Sequence, residues 1–80
     1  MDIEMAREIV SAAFRSSSEL QNLLQPLKER CSPDEYREYA RGIAAAVDAI
    51  GVHLIKKAIA AYPQLNSEIE ASIARHGRFT

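Results

Sequence analysis

The sequence contains few of the residues that most strongly restrict a fold. It has one cysteine, Cys31, so a disulfide within the chain is excluded, and a single thiol fits a reducing compartment. Its first residues, MDIEMARE, lack the basic region and the apolar region of a secretory signal. We therefore expect a cytoplasmic protein.

An excess of charge of either sign is also absent. The chain has 10 Lys and Arg against 11 Asp and Glu, which gives a net charge of −1. Proteins that bind nucleic acids usually carry a basic surplus, because contacts with phosphates dominate their affinity. The composition therefore argues against nucleic acid as a partner and indicates no other charged partner.

Three glycines, three prolines and no alternation of apolar and polar residues leave little room for strands and turns. We predict an all-α fold. The 80 residues form one domain, 1–80. So small a domain buries about 60% of the surface of its unfolded chain, and oligomerisation is one usual way to stabilise it.

Apolar or small residues recur at alternating intervals of three and four through the first 31 residues, which predicts a helix with one packed seam. Two features could kink or break this helix: Ser16–Ser18, where a new helix could be capped, and Pro26, which has no N–H to donate to the Asn22 carbonyl. The unbroken register of the seam favours one bent helix over two helices with a break at the serines. The seam consists of Ile3, Ala6, Val10, Ala13, Ser17, Leu20, Leu24, Leu27 and Cys31.

The segment CSPDEYREYA has the signals of a helix start. Ser32 is a capping residue, Pro33 stands at the first helical position, and Glu35 completes a capping box. This second long helix is predicted to run to about Tyr62, before Pro63. It would form an antiparallel hairpin with the first helix.

A short third helix is predicted to begin at Pro63 or at a Ser67 cap. Leu65 and Ile69 would lie on one face of it, together with Ile73, and Gly77 is a plausible stop. The last three residues, 78–80, are expected to fray, as chain ends commonly do.

The stretch Gly42–Tyr62 is apolar on nearly every side, yet Asp48, Lys56 and Lys57 argue against a membrane span. An aspartate near the centre of a span costs about 2.5–3.5 kcal/mol. The stretch carries three stripes. The main stripe comprises Tyr36, Ala40, Ile43, Val47, Ile50, Leu54, Ala58 and Ala61, the second comprises Val52, Ile55, Ile59 and Tyr62, and a strip of small residues comprises Gly42, Ala46, Ala49, His53 and Ala60.

A helix that is apolar all round is normally surrounded by protein, and two other helices can hardly surround this one. We therefore expect a homodimer that resembles a four-helix bundle. The alternative is a monomeric three-helix bundle with an exposed face rich in alanine, the best helix former. The predicted interface residues are Gly42, Ala46, Ala49, His53, Ile55 and Ile59.

No pattern of residues predicts catalysis, and we predict no catalytic, cofactor-binding or metal-binding residues. His53 and Asp48 are five residues apart and point in different directions, and neither histidine follows a glutamate at the spacing of a di-iron motif. Cys31 has no histidine near it in the sequence and is more typical of a small packed thiol than of a nucleophile.

The leading hypothesis is a homodimeric module for protein–protein interaction, or an accessory or regulatory subunit with an unidentified protein partner. The second hypothesis is a small dimeric regulator that binds nucleic acid. It would use Arg37 and Arg41, which alternate with tyrosines, and Arg75 and Arg78 near the end of the chain.

Overall fold

The computed structural model describes residues 1–79, which are helical and contain no strand, so the prediction of an all-α fold is confirmed. The elements are α1 (Ile3–Gln21), α2 (Leu24–Arg30), α3 (Pro33–Ile50), a π-helical segment (Gly51–Ile55), α4 (Lys56–Ala61) and α5 (Gln64–His76). They form three helical units: α1 with α2, the continuous helix from α3 to α4, and α5. Within residues 1–79 no helix has the length and apolar character needed to cross a membrane.

The first helical unit continues through the serine triplet, so the alternative of a break at Ser16–Ser18 is not observed. The Asn22 N–H still donates to the Ser18 carbonyl at 2.9 Å, as a regular α-helix requires. The serines are exposed or half-buried on the helix surface, and their side chains therefore need not compete for the backbone.

The interruption falls at Asn22–Leu23, one turn before Pro26. Pro26 has no N–H for the Asn22 carbonyl, and its ring would clash with that carbonyl in a regular helix. The backbone tightens instead: the Leu23 N–H donates to the Leu20 carbonyl at 3.1 Å, and α2 then begins at Leu24. Pro26 therefore interrupts the helix at Asn22, whose carbonyl it cannot satisfy, rather than at its own position.

The predicted start of the long helix at Pro33 is confirmed. The Ser32 hydroxyl accepts from the Glu35 N–H at 3.2 Å, and the Glu35 carboxylate accepts from the Ser32 N–H at 2.9 Å. The backbone donor of Ser32 lowers the pKa of Glu35, because it stabilises the ionised carboxylate. The helix ends at Ala61, ahead of the Tyr62–Pro63 pair, as the sequence predicts.

The π-helical segment rotates the buried face of the long helix. The Lys56 N–H donates to the Gly51 carbonyl, five residues back, so this turn holds about one more residue than an α-turn. As a result Leu54 and Ala61, which the sequence placed on the main stripe, are exposed, whereas Ala58 of that stripe stays in the core. Ile59 and Tyr62 of the second stripe take up the inward positions and pack against the core.

The hydrophobic core lies at one end of the molecule, where α1, α4 and α5 meet. Here α5 covers its own chain, with Leu65 and Ile69 buried. The core cluster consists of Ala6, Val10, Ala58, Leu65, Ile69 and Phe79.

Phe79 returns to this core, so the expectation that residues 78–80 fray is wrong for Phe79. Gly77 terminates α5 with φ of 72°, a left-handed conformation that glycine adopts without steric cost. The reversal places Phe79 beside Phe14, with ring centroids 6.1 Å apart, and only 7% of Phe79 is exposed. The Ser72 hydroxyl donates to the Arg78 carbonyl at 2.8 Å and fixes the turn. Thr80 lies outside the described residues.

Candidate interaction surface

The other end of the molecule is an arm of only two helices, formed by the last turn of α1, α2 and the first part of α3. Here α2 packs on α3, whereas the buried side chains of α5 and of Phe79 belong to the core cluster at the other end of the molecule. The molecule measures 45 × 25 × 15 Å, and its smallest extent is little more than one layer of helices. This arm therefore lacks the second layer that a helical core requires.

One face of the arm is an apolar groove of about 430 Å³, which we call the leucine groove. Two large side chains on it are strongly exposed: Leu23 at 49% and Tyr39 at 59%. Glu38 supplies the only ionisable carboxylate of the lining. The groove is lined by Leu20, Leu23, Leu27, Glu38, Tyr39, Gly42, Ile43 and Ala46.

The reverse face of the arm carries a second groove of about 440 Å³, which we call the opposite groove. It shares Ile43 with the leucine groove, because this residue lies between the two helices of the arm. Polar groups stand in this lining, the Gln21 amide and the Asp48 carboxylate among them. The full lining is Gln21, Leu24, Tyr36, Ala40, Ile43, Ala44, Val47 and Asp48.

Two of the six predicted interface residues, Gly42 and Ala46, line the leucine groove. Ala49 and His53 are exposed and lie further along the same helix. Ile55 and Ile59 are half-buried, and Ile59 packs against the core of its own chain. The structure thus separates the predicted set into a strip on the surface and a pair turned inward by the π-helical segment.

The leucines and the tyrosine of the leucine groove were not among the predicted interface residues. Leu20 and Leu27 belong to the seam of the first helix, which sequence reasoning assigned wholly to contact with α3. Tyr39 stands three residues before Gly42, on the same helix face. That spacing is the signal that could have joined it to the strip of small residues.

The surface area of the molecule is large for its mass. The accessible surface is 5796 Å², whereas a folded monomer of 8.9 kDa is expected to expose about 4,800 Å². The radius of gyration is 14.7 Å, against about 12 Å for a compact chain of this length. The excess of about 1,000 Å² reflects the elongated shape, in which the arm extends from the core as a single layer.

A charged contact holds α5 on α1 at the core end. Arg7 Nε and Nη2 donate to the two carboxylate oxygens of Glu68 at 2.8 and 3.0 Å, and Nη1 donates to Glu4 at 2.6 Å. The hydrogen bond from Arg7 lowers the pKa of Glu68, and the same contact raises the pKa of Arg7. Both side chains are about one-third exposed, so the contact orients α5 more than it stabilises it.

The Glu68 contact predicts a pH dependence of the docking of α5. Because the folded-state pKa of Glu68 lies below its ordinary value of 4.5, its contribution to stability is complete above that pH and is lost as the pH falls through the lowered pKa. A carboxylate NMR titration should show a depressed midpoint for Glu68 that returns towards the ordinary value in Arg7→Gln. A midpoint that Arg7→Gln leaves unchanged would show that Arg7 is not the cause.

The residues considered for other chemistry include His53, Asp48 and Arg37. His53 and Asp48 are both exposed. Arg37 is paired with Asp34 at 2.8 Å, so this arginine is already engaged by an acid. Within residues 1–79 no group of three His, Cys, Asp or Glu side chains is placed to hold a metal ion.

Comparison with protein-family models, with curated proteins and with solved structures finds no match to this chain. Functional inference therefore depends on the geometry of the chain itself.

Proposed function

We propose that this protein is a small helical module for protein–protein interaction that acts as a homodimer. The observation that carries the proposal is the arm, which has a single layer of helices and exposes large apolar side chains such as Leu23 and Tyr39. The accessible surface of the whole chain is also larger than that of a compact monomer of the same mass. Exposed apolar surface that is contiguous, rather than scattered, is typical of interaction sites.

The amount of surface supports a second copy as the partner. Stable interfaces of standard size bury about 800 Å² on each partner, which is close to the excess of about 1,000 Å² on this chain. Two-fold dimers are the commonest oligomers, and two helical hairpins pack into a four-helix bundle. The dimer would thus give the arm the second layer of helices that it lacks.

The test is the solution mass of the native chain by light scattering. We expect about 18 kDa, twice the 8.9 kDa of one chain, at a concentration of about 100 µM, since interfaces of this size usually bind at micromolar concentrations or below. A mass of one chain at that concentration would contradict the proposal.

A further inference from the structure

We infer that the leucine groove is the surface at which the two copies meet, and that its occupant is the leucine groove of the second copy. This inference rests on the proposed homodimer and specifies which of the two faces of the arm forms the dimer interface. The last turn of α1 with α2, and the first part of α3, would pack face to face with the same segments of the partner. A four-helix bundle results, with one two-fold axis.

The polarity of the two grooves distinguishes them. Covering the opposite groove would remove the Asp48 carboxylate from water, and no basic residue lines that groove to pair with it. An unpaired carboxylate is expensive to bury. No basic residue lines the leucine groove either, but the exposed surface of its lining is almost wholly apolar although Glu38 belongs to it, whereas the lining of the opposite groove exposes more polar surface. The largest exposed apolar side chains of the arm, Leu23 and Tyr39, belong to the leucine groove.

The shape of the leucine groove fits a helix of the same kind. A side-chain carbon added at Gly42 would meet no atom within 4 Å, so the surface above it is open. Ala46 lies one turn further along the same face, and such small residues let two helices approach to about 8 Å. The leucines and the tyrosine on either side would then fill the space around the partner's helix, which carries the same residues.

The excess surface area favours a second copy of the chain, rather than a short segment of another protein, as the occupant of the leucine groove. The excess surface corresponds to one side of an interface of standard size, and an isologous contact covers an identical patch on both chains at once. The leucine groove runs from Leu20 at the end of α1 to Leu27 in the middle of α2 and along about two turns of α3, and an identical arm has the matching length.

Three consecutive alanines of α3 provide a matched experiment. Ala44 lines the opposite groove, Ala46 lines the leucine groove, and Ala45 lines neither, while all three are exposed in the single chain. Each is changed to glutamate, which alters helix propensity only slightly. Circular dichroism checks folding, and sedimentation equilibrium measures the dissociation constant of the dimer.

We expect Ala46→Glu to raise the dissociation constant by at least about 100-fold, because two carboxylates would be buried at the interface. Ala45→Glu and Ala44→Glu should remain dimeric. Leu23→Gln, a change just before α2 at a side chain that is exposed in the single chain, should also weaken the dimer. It provides a second test if Ala46→Glu does not fold.

The outcomes separate this inference from the proposed function. A dimer that dissociates on Ala44→Glu but tolerates Ala46→Glu and Leu23→Gln would overturn the choice of face and leave the homodimer intact. A dimer that only Ala45→Glu disrupts would place the contact outside both grooves and overturn it as well. A monomeric native chain would contradict both this inference and the proposed homodimer.

Discussion

Replacing Leu65 with alanine is expected to lower the free energy of unfolding by about 3 kcal/mol. Leu65 has no exposed surface and lies between α1, α4 and α5, so the shorter side chain leaves a cavity in the small core. An 80-residue domain has a total stability of roughly 4–12 kcal/mol, so this loss is a large part of it. Urea unfolding followed by circular dichroism measures the change.

Leu54→Ala is the matched control for this variant, since it removes the same atoms from a leucine that is 42% exposed. We expect a loss of less than about 1 kcal/mol, because little apolar surface is withdrawn from water at that position. Equal losses at the two positions would mean that Leu54 points inward and that the π-helical segment does not rotate the buried face.

Replacing Phe79 with alanine is expected to lower the free energy of unfolding by about 3 kcal/mol, although the residue is next to the end of the chain. Its ring is almost wholly buried and packs on Phe14 and the core cluster. Loss of the ring would uncover Phe14 on α1 and Ile69 on α5. The same urea titration gives the result.

Arg78→Ala serves as the control for Phe79, because Arg78 is exposed and the substitution keeps the backbone carbonyl that accepts from Ser72. It should change stability by less than about 0.5 kcal/mol. If Phe79→Ala were as mild as Arg78→Ala, the end of the chain would not be docked on the core.

The boundaries of the long helix and the end of α5 could be predicted because they depend on a few neighbouring residues, whereas the start of α5 was left open between Pro63 and Ser67. Ser32 and Glu35 close the capping box within one turn, and Gly77 provides the left-handed conformation that stops α5. The position of the interruption in the first helix was harder to predict, because Pro26 and the serines both gave a reason for a break. The helix is interrupted because of the proline, which removes a backbone donor, whereas the exposed serines leave the helical hydrogen bonds in place.

The π-helical segment and the docking of Phe79 could not be predicted, because both are consequences of tertiary packing. A pattern with a period of 3.6 residues placed Leu54 inside, and no local residue type marks the extra residue that turns it outward. Phe79 follows the last helix, so no periodic pattern includes it. The sequence placed Gly42 and Ala46 on an interface strip, but it could not show that the core gathers at the other end of the molecule and that Leu23 and Tyr39 are exposed.

The dependence of the solution mass on concentration tests the central claim most directly, because the claim is that a second copy supplies the layer missing from the arm. Sedimentation equilibrium of the native chain should fit a reversible transition from 8.9 kDa at high dilution to about twice that mass at about 100 µM, with no larger species. A mass of one chain throughout this range, with the helices intact, would contradict the claim and show that the arm is stable as a single layer.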